Sequence, residues 1–508
     1  MNRRTLVSIA AISILSAAPA FGAEPAAAAE PAAVPAAPAA AAVPTAPQEA
    51  AAVSAAAGDK PSPAINKFKV TLFGFAELDM TRDSTQFLTE APGNGIVRGN
   101  TDVTKFAGTN ERTMFSVKNS RVGLKLAAPE VGGVKSSGFF EADFFGDQPL
   151  AYSDAIVPIN EPPNMVNNRI PTAVNETSSN INASVRLRHY YLKLETSVVD
   201  VLAGQYFDVF GWGGGPFFPS TVSLLGVVGQ LFHRQPQLRL SRRFRSDAVD
   251  FEIAAAAARP VQRDGGYPDA EGGMRVFFNR WKGVHSQSSG QPISDPMCIG
   301  VSGLFREFRL NEFTALTPTQ YVHERGWGVA AQAMIPIIPA TLDDQRNALS
   351  LTFEFNMTSG ASDFYTNLTG GDTTPGITDG AGNTVPYAAN LDPGIVDWSN
   401  AYGAFVPIKW QGLLLGLQYH LPIDAGKIWV SALYAQLSSS NISEVALKPY
   451  NAYKKSTYFD VSAFIAVAAS TQIGVMYQTM KDTYVDDSDV SLKSARNHRV
   501  HVAFLFFF

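Results

Sequence analysis

Charged residues in this 508-residue chain recur at spacings that could handle anions. Glu77 and Asp79 stand two apart, Arg121 and Lys125 four apart, Glu141 and Asp143 two apart, Arg186 and Arg188 two apart. In an extended chain, residues at such spacings share one face. Acidic and basic pairs would then alternate between neighbouring strands ~4.8 Å apart, close enough to pair across the sheet. Two uses follow: the charges hold a wall together, or basic members without a partner attract anions. Arg239 bears on the second. It lies between Leu238 and Leu240, and its own face carries Gln237 and Ser241, neither of which supplies a negative charge. A planar guanidinium there suits a carboxylate or phosphate.

Covalent chemistry is poorly provided for. A barrel hydrolase needs Ser and His within hydrogen-bond reach near the outer leaflet. Alternation puts His189 on the apolar face of its strand, but no nucleophile motif accompanies it. It reads better as a polar group at a subunit interface or at headgroup level, and no catalytic residue is assigned. Asp482, Asp486, Asp487 and Asp489 could hold Ca²⁺ or bridge lipopolysaccharide, but their spacing matches no compact calcium loop. A solvated acidic loop is the simpler reading. Cys298 is the single cysteine, which excludes an internal disulfide and a cysteine-rich metal site. Neither a metal nor a cofactor is expected.

The elements that must position these groups are strands. Leu349, Leu351, Phe353, Phe355 and Met357 alternate with Ser350, Thr352, Glu354, Asn356 and Thr358. A helix would mix these sets, whereas a barrel wall needs one face for lipid and one for water. Similar segments recur from residue 67 to 508, about 16 in all, an even number as bacterial barrels require. The expected fold is all-β: a transmembrane antiparallel β-barrel. The gaps alternate in length. Those at 129–133, 195–199, 246–247, 422–426 and 469–470 are short and fall on the periplasmic side. Those at 81–114, 147–182, 209–235 and 359–402 are long and fall outside. The gap at 282–296 is too long for its place, so the count is open there by a pair of strands.

Composition agrees. Charged residues make up 17% and aromatics 11%, with 41 Gly, while a soluble chain usually carries about a quarter charged residues. No run of ~20 uncharged apolar residues follows the amino-terminus, so helical spans are not expected. The net charge of −5 suggests no general affinity for nucleic acid.

Residues 1–22 read as a signal peptide, with Arg3 and Arg4 before an apolar stretch and Ala20-Phe21-Gly22 at the cleavage site. Residues 23–66 are rich in Ala and Pro, cannot bury a core, and read as a disordered periplasmic linker. A solvated spacer and a cell-wall contact are both open for it. The barrel is expected over 67–508.

The long gap from Val209 to Gln235 contains Gly211-Trp212-Gly213-Gly214-Gly215-Pro216-Phe217-Phe218-Pro219. It is too apolar to stand in water. Folded inward it would narrow the pore, with Trp212, Phe217 and Phe218 in the constriction and His233 and Arg234 at its exit. The alternative is a cap over a subunit interface.

Two resemblances refine the reading. Val500, Val502, Phe504, Phe506 and Phe508 share a face, which resembles the terminal strand that barrel assembly machinery reads as an insertion signal. Ser120-Arg121-Val122-Gly123-Leu124-Lys125 and Phe139-Phe140-Glu141-Ala142-Asp143-Phe144-Phe145-Gly146 resemble strands two and three of DcaP-like porins. Arg186-Leu187-Arg188-His189-Tyr190, Leu202-Ala203-Gly204-Gln205-Tyr206 and Arg234-Gln235-Pro236-Gln237-Leu238-Arg239 follow in the same order. The resemblance covers residues 67–245 and implies a homotrimeric outer-membrane porin of a Gram-negative bacterium, favouring small anionic solutes such as dicarboxylates. It makes Arg121, Lys125, Arg186, Arg188 and Arg239 candidate pore-lining residues, to which the reading of the strands and the inward segment adds Arg234, Glu77, Glu141 and Asp143. Its other expected partners are outer-membrane lipid and lipopolysaccharide. The competing expectation is a structural or surface-binding barrel with a plugged lumen.

Overall fold

In the computed structural model, residues 67–85, 111–146, 184–313, 319–365, 394–445, 453–485 and 494–508 are described, with breaks at 224–225, 263–264 and 289. Short pieces at 64–65, 368, 377–378, 384–385 and 391 are described as well. The expected signal peptide, nearly all of the Ala/Pro tract, most of the three other long external gaps, and Asp486, Asp487 and Asp489 lie outside these residues.

Sixteen strands form one closed antiparallel barrel. They are β1 (Phe68–Asp83), β2 (Arg121–Ala127), β3 (Lys135–Gly146), β4 (Ser184–Glu195), β5 (Asp200–Phe207), β6 (Arg234–Phe244), β7 (Val249–Ala258) and β8 (Asp269–His285). They continue as β9 (Ile293–Asn311), β10 (Tyr321–Ile338), β11 (Leu349–Ser359), β12 (Lys409–His420), β13 (Ile428–Ser439), β14 (Tyr453–Ala468), β15 (Thr471–Tyr484) and β16 (Ser494–Phe507). Each pairs with the next, and β16 closes on β1 from Phe75↔Phe507 to Asp83↔Arg499. A closed ladder satisfies every wall N–H and C=O without an edge, which is what lets strands span a bilayer.

The alternation read in β11 is the alternation observed. Ser350, Thr352, Glu354, Asn356 and Thr358 are buried inside, while their neighbours face out. The count of 16 holds without a further pair. The long gap at 282–296 arises because β8 and β9 run to 17 and 19 residues, past a bulge at Phe278/Lys282. The turn joining them, 286–292, then bends into the barrel. Ser288 N–H donates to Pro219 O at 2.8 Å, Ser286 N–H to Gln418 Oε1 at 2.9 Å, and Gln291 Nε2 to Ala469 O at 2.6 Å.

The apolar core sits inside the lumen. Phe210, Val227, Val228 and Leu231 of the segment after β5 pack on Trp410, Leu414, Leu433 and Leu437 of the wall. Phe364 and Tyr365, just beyond β11, join them. The inward segments fill one side of the lumen, and the opening is left along β1–β5.

Candidate functional site

The inner loop, 208–233, is the expected constriction segment, and it folds inward. Its polar backbone is satisfied by inward side chains of successive strands. Gly211 N–H donates to Ser302 Oγ of β9 at 2.9 Å, and Gln332 Nε2 of β10 donates to Gly211 O at 2.6 Å. Leu231 N–H donates to Glu354 Oε1 of β11 at 2.8 Å, and Asn356 Nδ2 donates to Gly229 O at 2.9 Å. Thr221 Oγ1 donates to Asp460 Oδ2 of β14 at 2.9 Å. The loop thus crosses the inner wall from β8 to β14, and the turn at 286–292 braces it from below.

The loop can approach closely because the wall carries inward glycines. A Cβ on Gly273 would stand 2.8 Å from the Trp212 ring, and one on Gly300 would stand 3.0 Å from Phe217. This signal was present in the sequence as glycines at inward positions of β8 and β9. Trp212 and Phe217 are consequently anchors, packed with Val209, Phe277 and Cys298. Phe218 points the other way, onto Phe207 at 5.7 Å and Phe232 at 5.5 Å. His233 does not line the gap: its Nδ1 bonds Asp208 at 2.6 Å, and its ring packs on Phe364.

The opening lies between the loop and the wall formed by β1–β5 and β16. Its lining includes Phe75, Arg121, Glu141, Arg188, His189, Phe207, Phe218 and Phe232. On the wall, the alternating charges meet. Arg186 donates to Asp143 through Nε at 2.9 Å and Nη2 at 2.6 Å. Arg188 bridges Glu141 at 2.5 Å and Asp143 at 2.9 Å. Asn119 bonds Glu77, His501 bonds Asp79 at 2.9 Å, and Arg499 bonds Asp83 at 2.8 Å. Each of these acids therefore has a hydrogen-bonded partner.

Arg121 and Arg234 differ. Arg121 lies over the Phe75 ring at 5.1 Å, with only a 3.4 Å contact to Asn119, and its buried Nε has no partner. Arg234 lies over Phe207 at 5.4 Å and Phe232 at 5.3 Å, two rings that line the opening, and its buried Nη1 has no partner. No carboxylate salt bridge forms to either among the described residues. Arg239, by contrast, is committed to structure. It donates to Gln237 Oε1 at 3.0 Å and to Phe207 O, holding the start of the loop. Lys125 sits four residues from Arg121, ~13 Å along the strand, and lies away from the opening.

His189 corrects the alternation. Opposite Glu141 and Ala142 the register of β3 and β4 shifts by one residue, so Arg188 and His189 both turn inward. His189 stacks among Phe139, Tyr206 and Phe207 and lines the opening. The apolar-face placement is thereby overturned. Asp482 also faces inward and is buried, so it does not belong to an external acidic loop.

The outer belt holds the terminal pattern. Phe504 and Phe506 face out at 43% and 52% exposure. Phe508 exchanges main-chain hydrogen bonds with Gly74, where a Cβ would stand 2.8 Å from its ring.

Among solved structures, the barrel resembles the outer-membrane channel DcaP of Acinetobacter baumannii, with TM-score 0.56 and 15% identity over 88% of this chain and 99% of that one. The chain has the DcaP fold. Weaker likenesses are an anion-selective porin from Comamonas acidovorans, at TM-score 0.46, 10% identity, and 87% and 100% coverage, and a trimer form of Vibrio cholerae OmpT, at TM-score 0.46, 9% identity, and 87% and 100% coverage. No family model matches the chain, and no curated protein matches its sequence. Within the DcaP fold, the side chains at this chain's opening are those just described.

Proposed function

We propose that the protein is an outer-membrane porin for passive diffusion of small hydrophilic solutes, favouring anions such as dicarboxylates. One observation carries the reading. Beside the opening, Arg121 and Arg234 keep guanidinium N–H groups without partners, while the neighbouring acids Glu141 and Asp143 are held by Arg188 and Arg186. Two guanidiniums at one opening suit a solute with two carboxylates. Their aromatic beds hold the planar groups in place without neutralising them.

The reading involves no catalytic step. A phospholipase-like site would put its histidine at the outer leaflet, whereas His189 faces the lumen. A homotrimer is part of the proposal, as the resemblance of residues 67–245 to DcaP-like porins implies.

Planar-bilayer conductance with reversal potential under a salt gradient tests the proposal. Anion preference that falls in R121Q and R234Q supports it, and a wild-type cation preference removes its basis. The filled side of the lumen favours a second reading, a plugged barrel, which would pass no current.

A further inference from the structure

The outer surface near the long-loop end carries a charge cluster that the pore does not use. Lys455 on β14, Lys481 on β15 and Arg496 on β16 are all exposed. Lys481 stands directly opposite Arg496. Thr483, two residues beyond Lys481 on the same face, stands opposite Lys455. Like charges opposed across a sheet repel. Farther round the rim, Arg82 is neutralised by Glu111, but these three residues have no ion-pair partner among the described residues.

Depth identifies what could neutralise them. On the same outward face and closer to the membrane centre, one position below Arg496 and two below Lys481, His498 and Tyr477 stack, and the Tyr477 hydroxyl bonds His498 Nδ1 at 2.8 Å. Exposed Val461 and Val500 stand opposite Tyr477 on the two neighbouring strands, and exposed Val475 follows beneath it. An amphipathic ring above an apolar belt marks the bilayer interface. The three cations therefore stand at headgroup depth, on the lipid side.

We infer that Lys455, Lys481 and Arg496 form a binding site for the phosphate of an outer-leaflet phosphorylated glycolipid. The inference rests on the outer-membrane placement, not on the solute preference. Two ammonium groups and one guanidinium supply charge-assisted donors to a phosphate that faces them from the bilayer. The acyl chains would lie on the apolar belt below.

The test is thermal unfolding of the refolded full-length protein in detergent, titrated with bis-phosphorylated lipid A or with its dephosphorylated form. The phosphorylated lipid should raise the melting temperature and the dephosphorylated one should not. K455Q/K481Q/R496Q should weaken the apparent affinity roughly tenfold or more, the effect of losing charge-assisted contacts. K481R/R496K should keep it. Bilayer conductance of the triple variant should match wild type, which separates this inference from the porin proposal. Equal stabilisation by the two lipids, or an unchanged response in the triple variant, would overturn it. So would protection of Lys481 from an amine-reactive reagent in the lipid-free oligomer, since a second copy of the chain would then cover the site.

Discussion

The Glu271 carboxylate on β8 accepts the main-chain N–H of Val209 at 2.7 Å, pinning the first residues of the inner loop to the wall. The same oxygen accepts Phe210 N–H at 3.1 Å, and the other accepts Gln235 Nε2 at 3.1 Å. One carboxylate therefore sets both where the loop enters the lumen and where it rejoins β6. Glu271→Ala should loosen that clamp and leave two buried N–H groups unsatisfied. The expected cost is about 2–3 kcal/mol in unfolding by denaturant. Single-channel current should become noisier and larger, and unchanged traces would mean that the loop is held by its apolar anchors alone.

Arg188 is the second control point, because it bonds both Glu141 and Asp143. Asp143 would still have Arg186, but Glu141 would lose its guanidinium. Arg188→Ala should destabilise the barrel by about 3–5 kcal/mol, the cost of stranding a buried charge. The bared Glu141 should also move the reversal potential toward cations. Adding Glu141→Gln should recover much of both effects. A reversal potential that stays at the wild-type value in R188A would place Glu141 outside the ion path.

These two cases show what was legible in the sequence and what was not. The pairing of Glu141 and Asp143 with Arg186 and Arg188 could be read because charge and alternation both follow the two-residue period of a strand, whereas Glu77 meets Asn119 and not Arg121. The unpartnered state of Arg234 could not, since it depends on where Phe207 and Phe232 turn after the strands end. His189 was misplaced for a related reason. A bulge inserts one residue without a change in composition, and every position counted across it changes face. The inward turn at 286–292 left a trace, an overlong gap on the short-turn side, but length alone does not say which way a turn folds. The most readable missed signal was glycine at inward wall positions.

That signal yields a prediction. Gly300 lies on β9 beneath Phe217 and Trp212, and a side chain there would meet the Phe217 ring at 3.0 Å and Trp212 at 3.2 Å. Gly300→Leu should push both anchors off the wall without altering any charge. The loop should then shift into the remaining opening, lowering conductance while leaving the reversal potential nearly unchanged. Tryptophan fluorescence should report the displacement. Gly303→Ala is the control on the same strand, because a Cβ there meets only Gly328 O at an ordinary 3.4 Å. If both variants conduct alike, the close approach of Trp212 and Phe217 does not set the bore.

The turn between β8 and β9 gives the last prediction. It forms a parallel bridge with the loop at Ser220↔Ser288, and Thr221 N–H donates to Ser288 O at 3.3 Å. Gln287, Ser288 and Gly290 line the same opening as Arg121 and Phe218. The bore is therefore bounded by two segments that arrive from opposite ends of the barrel. Replacing 286–291 with a two-residue Asn-Gly turn would remove the lower one while leaving the strands able to pair. Conductance should rise, because the wall at that level is set back. Selectivity should persist, because Arg121 and Arg234 stay in place. Glu271→Ala loosens only the upper segment, so the two changes combined should exceed either alone. Loss of selectivity on removing the turn would instead mean that the turn, not the arginine pair, discriminates between ions.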